Sequence, residues 1–478
     1  MSFNSIHFLI FLPVVVLVYW ILPRRGQNIF LLFASYYFLC IIHPWFGILI
    51  ALVTTVNYCC SLGMIHRPER KKIFLISALV FSLGELAYFK YASFFLDNVA
   101  ALLSAAGVPF SQPVLAVMLP VGISFYTFQA IAYTIDVYRG ETEPCTNLID
   151  FALFISFFPQ LVAGPIERSG HLMPQIRRRR QVSPEMIQQG LLLLFWGFFK
   201  KLVIADNTGL IAFKVFSLTD PGFYLLWSGV FAFGIQILAD FWSYTDIARG
   251  SALLLGFKLS RNFDHPYFAR SPADFWRRWH MTLSYWLRDY VYIPLGGSRV
   301  RSSFRRGANI MITFLLSGFW HGASWNFILW GGYHGILVLL DRVLRNLLAP
   351  VRKLLPRQLH VPVLIIKILL TFALVNIGWL MFRVTDIQTL FQYLQLTPWS
   401  STLRDNRIAG YLFCLTLLYA LPIFLHGLLY FWDIHRRGPQ EEYADVLLLL
   451  RPILAAVLLI GILTLRSPEP STFIYFQF

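Results

Sequence analysis

Long apolar runs separated by short polar or basic loops recur along nearly the whole chain. They lie near Ile6 to Leu22, Ile29 to Ile42, Trp45 to Ile65, Ile73 to Tyr88, Val114 to Tyr133, Phe151 to Val162, Met186 to Ile204, Phe223 to Ala239, Ile310 to Leu340, Val361 to Met381, Ile408 to Tyr430 and Val446 to Leu465. About 20 mainly apolar residues suffice to carry a helix across the hydrocarbon core of a bilayer. Several runs are shorter than that or interrupted by Gly and Pro. The pattern therefore predicts an all-α, polytopic transmembrane helical bundle of roughly 10 to 13 membrane helices, some of them re-entrant.

Composition agrees with the pattern. Of 478 residues, 57% are hydrophobic and only 13% charged, and the mean hydropathy is +0.62. Nothing is left over for a sizeable soluble domain, so a single integral membrane domain over residues 1–478 is expected. No internal repeat is visible, which argues against a transporter built from two symmetric halves.

The formal net charge of +16 is explained by its distribution. Arg24 and Arg25, then Arg67, Arg70, Lys71 and Lys72, then Arg177 to Arg180, then Arg299, Arg301, Arg305 and Arg306 all stand between apolar runs, as positive-inside topology requires. Anionic headgroups of membrane lipids satisfy such charges, so no nucleic-acid partner is expected, even for the Arg177–Arg180 run. Because Arg24 and Arg25 follow the first apolar run, that helix is expected to be retained with its N-terminus outside. Cys40, Cys59, Cys60 and Cys414 lie in apolar segments and Cys145 in a loop, with no C-x-x-C. Neither disulfides nor a metal site are expected.

Polar side chains inside a bilayer are costly unless they face the bundle or a wet cavity, which makes them functional candidates. They cluster in five stretches: Pro120 to Gly140, Phe157 to Ile176, Ala239 to Gly250 with Asp240 and Asp246, Asp274 to Arg299, and the surroundings of His321. In the fourth stretch a continuous helix would put Trp276 and His280 on one face, continued by Ser284 and Arg288, with Trp279 and Trp286 beside it. For most of these residues an interfacial anchor of indoles and guanidiniums is sufficient explanation. His280 fits an anchor least well; with Arg277, Arg278, Arg288 and Asp289 close in sequence it could serve a site handling a thioester or an anionic cofactor.

His321 stands in a run of 34 residues, Gly307 to Leu340, that contains no Asp, Glu, Lys or Arg. As one helix this run would extend about 50 Å, so it must tilt strongly, bend or break. Gly318 and Gly322 are spaced G-x-x-x-G, and Gly331 and Gly335 repeat the spacing, which lets helix backbones approach closely on both sides of His321. Ser324, Trp325 and Asn326 stand between the two pairs and offer hydrogen-bonding groups. A histidine satisfied by a neighbouring carbonyl would account for a lone imidazole here. The second His about forty residues upstream and the flanking small residues favour general-base chemistry instead. His334 reads as structural. No H-E-x-x-H, P-loop, G-x-S-x-G or G-x-G-x-x-G is present.

Two stretches, WRRWHMTLSYWLRDYVYIPLGG and SGFWHGASWNFILWGGYHG, resemble the paired histidine signature of the membrane-bound O-acyltransferase family in its bacterial polysaccharide-acetylating branch. LPVGISFYTFQAIAYTIDVYRG, FPQLVAGPIER, GWLMFR and FIYFQF occur in the order of that branch, so the likeness covers most of the chain, with its signature over 239–345 and further helices over 361–478. The resemblance implies a funnel or tunnel at His321, which matches the family's invariant histidine, and makes His280 the second position. One departure is visible: Trp242 and Ser243 stand where the branch commonly has a small Ser-Gly pair, between the retained Asp240 and Asp246.

The resemblance further implies a multi-pass protein of the bacterial inner membrane that transfers an acyl group, acetyl before others. The donor would be acetyl-CoA or another acyl thioester used as substrate, with no bound cofactor. The acceptor would be an extracytoplasmic polysaccharide hydroxyl, reached directly or through a periplasmic acetyltransferase or other polysaccharide-modification partner. D-alanyl transfer to teichoic acid, a transporter or flippase of acylated or lipid-linked sugars, and a non-catalytic scaffold remain the alternatives.

Overall fold

The computed structural model describes residues 1–108, 118–350, 356–437, 451–469 and 471–474, and among them the regular secondary structure is all helical, without a strand. Among the described residues, seven helices are long and apolar enough to cross a membrane: Phe46–His66, Pro68–Ala105, Pro184–Phe216, Phe223–Leu254, Trp325–Leu347, His360–Arg383 and Leu403–Trp432. Two shorter apolar helices, Ile6–Ile21 and Pro452–Leu465, accompany them. The chain is thus an all-α polytopic membrane bundle. Two expected spans begin outside the described residues, since residues 114–117 and 446–450 are not among them, and the same holds for the last four residues of the FIYFQF motif.

These helices carry little alternation between apolar and polar faces, because lipid accepts the same side chains as the interior does. What distinguishes the inward side is small and polar residues. In His360–Arg383, Ile365, Ile366, Leu369 and Leu370 are exposed while Thr371, Val375, Asn376, Gly378 and Trp379 are buried. The exception is Phe223–Leu254, whose most apolar stretch is 89% buried.

The described chain divides into two units, Met1–Leu191 with Ile247–Ser260, and Leu192–Asp246 with Arg261–Phe478. In the first, a polar ladder joins three helices: Asn57 donates to Ser82 at 2.9 Å and accepts from Thr134 at 2.7 Å. The helix Ile123–Arg139 starts at Gly122, held at φ +79°, where a Cβ would come within 2.5 Å of the Leu161 carbonyl oxygen, so only glycine fits. The expected span over Phe151 to Val162 is broken at Phe157 into the short helices Leu148–Ser156 and Phe158–Leu161. Arg180 departs from the topological reading of the basic run. Arg177, Arg178 and Arg179 are exposed, but Arg180 is buried and donates to Tyr19 Oη at 2.8 Å, the Ile176 carbonyl at 2.8 Å and Gln27 Oε1 at 3.2 Å. A guanidinium with several acceptors in place can be buried where an unpaired one could not.

The second unit holds both candidate histidines. Its helices Ser303–His321 and Trp325–Leu347 form a hairpin, against which His360–Arg383 packs.

Candidate active site

Of the three outcomes open to the long uncharged run, tilt, bend or break, the structure shows a break, and it falls at the candidate base. Ser303–His321 ends on His321; Gly322 is extended, and the next helix begins at Trp325 after the extended Ser324. The two glycine pairs bring the arms together: a Cβ on Gly318 would lie 2.1 Å from the Phe327 carbonyl oxygen, and one on Gly331 2.3 Å from that of Phe314. Such contact between backbones is available only to glycine and leaves the bend no room to slide. His321 is thereby fixed at the bend, 3% exposed. Its ring meets Trp320, Trp330 and Phe382 edge-on, with centroids 4.9, 5.0 and 5.4 Å away.

His280 sits at a second break, which corrects the helix expected through this stretch. Pro272–Arg278 and Met281–Leu287 are separate helices, and His280 joins them with φ 42° and ψ 56°, a left-handed conformation that costs a residue with a Cβ about 1–2 kcal/mol. Asn262 holds the turn. Its carbonyl accepts from Met281 N at 2.9 Å and its Oδ1 accepts from Thr282 Oγ1 at 2.7 Å. Because of the break, Trp276 and His280 do not share a helix face. The His280 ring instead meets Phe241 at 4.7 Å and Trp320 at 5.9 Å. The indole of Trp320 therefore touches both imidazoles. His280 is 1% exposed, and burial, which penalises the cation, pushes its pKa down to about 3.

The other candidates divide into those at this aromatic collar and those away from it. Trp276 packs against Trp330 and His334, with centroids at 5.5 and 5.0 Å, and Trp279 against Trp379 at 4.8 Å. Trp279 is thus part of the interior, 1% exposed, while Trp276 is partly buried. Asn326 is fully buried and donates to the Met381 carbonyl at 3.3 Å, while Trp325 is half exposed. Ser324 stands at the start of its helix and Ser284 donates to the Trp279 carbonyl at 3.4 Å. Arg278 pairs with Asp264 at 3.3 Å and Asp274 at 3.1 Å, Arg288 pairs with its neighbour Asp289 at 2.7 Å, and Arg277 is exposed. His334 is buried in the same collar, its ring 4.9 Å from that of Trp330.

Asp240 and Asp246 face two lysines that lie inside the apolar run Met186 to Ile204 and were not among the sequence candidates. Lys200 Nζ lies 2.5 Å from Asp246, and Lys201 Nζ lies 2.8 Å from Asp240 and 2.9 Å from Asp206. All five side chains are essentially buried. A usable signal existed, because adjacent lysines inside an apolar run demand carboxylate partners. For Trp320, Trp330, Phe382, Phe241 and Asn262 the sequence carried no such signal. Among the described residues no group of three or more His, Cys, Asp or Glu side chains is placed to hold a metal ion.

The arrangement suits proton transfer to or from a neutral imidazole in dry surroundings, and comparison with known proteins puts it in context. A model described as "MBOAT, membrane-bound O-acyltransferase family" matches residues 145–384, which takes in both histidines. The "Probable alginate O-acetylase AlgI" of Azotobacter vinelandii is 36% identical, aligned over 100% of both chains. The protein of the same name from Pseudomonas aeruginosa is 40% identical over 82% of this chain and 74% of its own. The "Peptidoglycan O-acetyltransferase" of Helicobacter pylori is 32% identical over 98% of this chain and 95% of its own. With the family model covering half of the chain and full-length relatives above 30% identity, this multi-pass inner-membrane protein belongs to the membrane-bound O-acyltransferase family and is an O-acyltransferase.

Proposed function

We propose that the protein moves an acetyl group from a cytosolic thioester, acetyl-CoA first among them, to an extracytoplasmic polysaccharide hydroxyl, directly or through a periplasmic partner. The observation that carries the reading is that His280 and His321, each at a helix break, both meet the ring of Trp320, with centroids 5.9 and 4.9 Å away. The activities for which the full-length relatives are named, O-acetylation of alginate and of peptidoglycan, support acetyl as the group transferred.

In the mechanism, neutral His321 takes the proton of the incoming hydroxyl as its oxygen attacks the thioester carbonyl. The C–O bond forms, the C–S bond breaks, and the imidazolium returns its proton to the departing thiolate. His280, neutral throughout the physiological range, orients the donor or completes the proton path. A passage through the bilayer joins the two substrates and keeps water from the thioester. With both rings almost fully buried, the aromatic collar of Trp320, Trp330 and Phe382 must part for substrates to enter.

The test is to incubate the purified protein with labelled acetyl-CoA and polymer acceptors, wild type beside His321→Ala and His280→Ala. A parallel arm offers a D-alanyl thioester. Label appearing on protein or polymer with the wild type and lost at least a hundredfold in His321→Ala is the expected result. Undiminished ester formation by a folded His321→Ala protein overturns the assignment, and transfer of D-alanine alone replaces acetyl with the teichoic-acid reading.

A further inference from the structure

Residues 471–474 do not lie loosely on the surface. The Ser471 carbonyl and hydroxyl accept from Lys201 Nζ at 2.9 and 3.2 Å, and the same hydroxyl donates to Asp206 Oδ1 at 2.6 Å. Ile474 N donates to Asp240 Oδ2 at 2.7 Å. Between them the Phe473 ring stacks on Tyr244, centroids 3.9 Å apart and planes 24° from parallel. Phe473 and Ile474 are each 1% exposed.

The chemistry explains why the segment is held. A buried lysine between two carboxylates has an excess of negative charge and a third ammonium proton to satisfy, and an ion pair in low dielectric is favourable only when its remaining donors and acceptors are met. Asp206 and Asp240 form ion pairs with Lys201 at 2.9 and 2.8 Å, the Ser471 carbonyl and hydroxyl accept its hydrogen bonds, and the Ile474 amide donates to the second oxygen of Asp240. The segment completes the cluster.

Its contacts lead to the active site. Asp240, Phe241 and Tyr244 lie on one helix, Phe223–Leu254, and Phe241 is the residue whose ring meets His280 at 4.7 Å. Phe473 touches that ring as well, at 6.1 Å. The wall behind His280 is therefore braced by the segment. We infer that residues 471–474 act as an internal strap, with Phe473, Lys201 and Asp240 as positioning residues that hold Phe241, and through it His280, in register for the transfer.

This inference rests on the proposed acyl transfer for its kinetic readout, but not for its chemical one. Phe473→Ala removes the stack, and Ile474→Pro removes the amide hydrogen given to Asp240 while keeping an apolar side chain. His280 modification by diethyl pyrocarbonate, mapped by peptide mass spectrometry at neutral pH in detergent, reports whether the wall still shields the ring. Both variants are expected to react at His280 at least tenfold faster than wild type, and Phe473→Tyr at the wild-type rate. Acetyl transfer should fall about tenfold in kcat with KM for the thioester changed less than twofold. Where Phe473→Ala does not fold, Phe473→Leu, which keeps volume without a stack, makes the same comparison. Wild-type His280 reactivity in folded variants of both positions overturns the strap. A wild-type protein that transfers no acyl group, yet whose His280 becomes reactive in the variants, overturns the proposed function and leaves the strap standing.

Discussion

Gly318→Ala is the substitution that most directly tests whether the hairpin bend sets the position of His321, the proposed base. An alanine Cβ at this position would lie 2.1 Å from the Phe327 carbonyl oxygen and 3.2 Å from the Gly331 Cα. Neither neighbour is a flexible side-chain tip, so the arms must separate by about 1 Å to restore ordinary contact. His321 is one turn further along the same helix and travels with it. A displacement of about 1 Å at a reacting group costs roughly a hundredfold in rate, equivalent to about 2.7 kcal/mol of barrier. The overpacking itself should destabilise the fold by about 1–3 kcal/mol. The assay is turnover of labelled acetyl-CoA by detergent-purified protein, with thermal unfolding measured alongside. Gly307→Ala serves as the control, since its Cβ would meet nothing nearer than Leu339 at 3.8 Å. A folded Gly318→Ala protein with turnover equal to that of Gly307→Ala would refute the claim that close backbone packing positions His321.

Polar contacts in the first unit give further expectations. His171 Nδ1 lies 2.6 Å from the buried Glu167 carboxylate, which also accepts from Ser260 N at 2.5 Å, and the hydrogen bond to Glu167 holds the half-exposed imidazole above its usual range. A raised folded-state value means that the contribution is complete below the unfolded pKa of about 6.5 and fades as pH rises through the folded value. The difference in melting temperature between wild type and His171→Gln should therefore be largest at mildly acidic pH and shrink as pH rises through the raised folded-state value; a constant difference counts against the pair. Arg180→Ala removes the donor to Tyr19 Oη and Gln27 Oε1, leaving the Ile176 carbonyl with Asn28 Nδ2 at 3.2 Å, and should lower stability by about 3 kcal/mol, whereas the exposed Arg179→Ala should change it by less than about 0.5 kcal/mol, both read by thermal unfolding. Equal melting temperatures for the two variants would show that the buried guanidinium is dispensable.

The amino-acid sequence by itself determined the class of the fold and singled out two candidate histidines. Apolar runs of bilayer length can only become helices in lipid, because no other local structure satisfies the backbone there. An uncharged run too long for the hydrocarbon had to tilt, bend or break, and its glycine pairs marked where helix backbones could approach. Both features are local and depend on chain geometry alone. Tertiary structure decided the rest. His280 is displaced from the face of Trp276 by a left-handed turn, and that turn is gripped by Asn262, which lies outside the two helices it joins. Trp320 joins the two imidazoles, and Phe241 and Phe382 reach them from helices far away in sequence. Aromatic side chains are abundant in any membrane segment, so which of them line a site cannot be read from their spacing. The partners of Lys200 and Lys201 were likewise a matter of packing. Charge balance requires that buried lysines meet carboxylates, but only the approach of particular helices selects Asp246 for one and the pair Asp206 and Asp240 for the other.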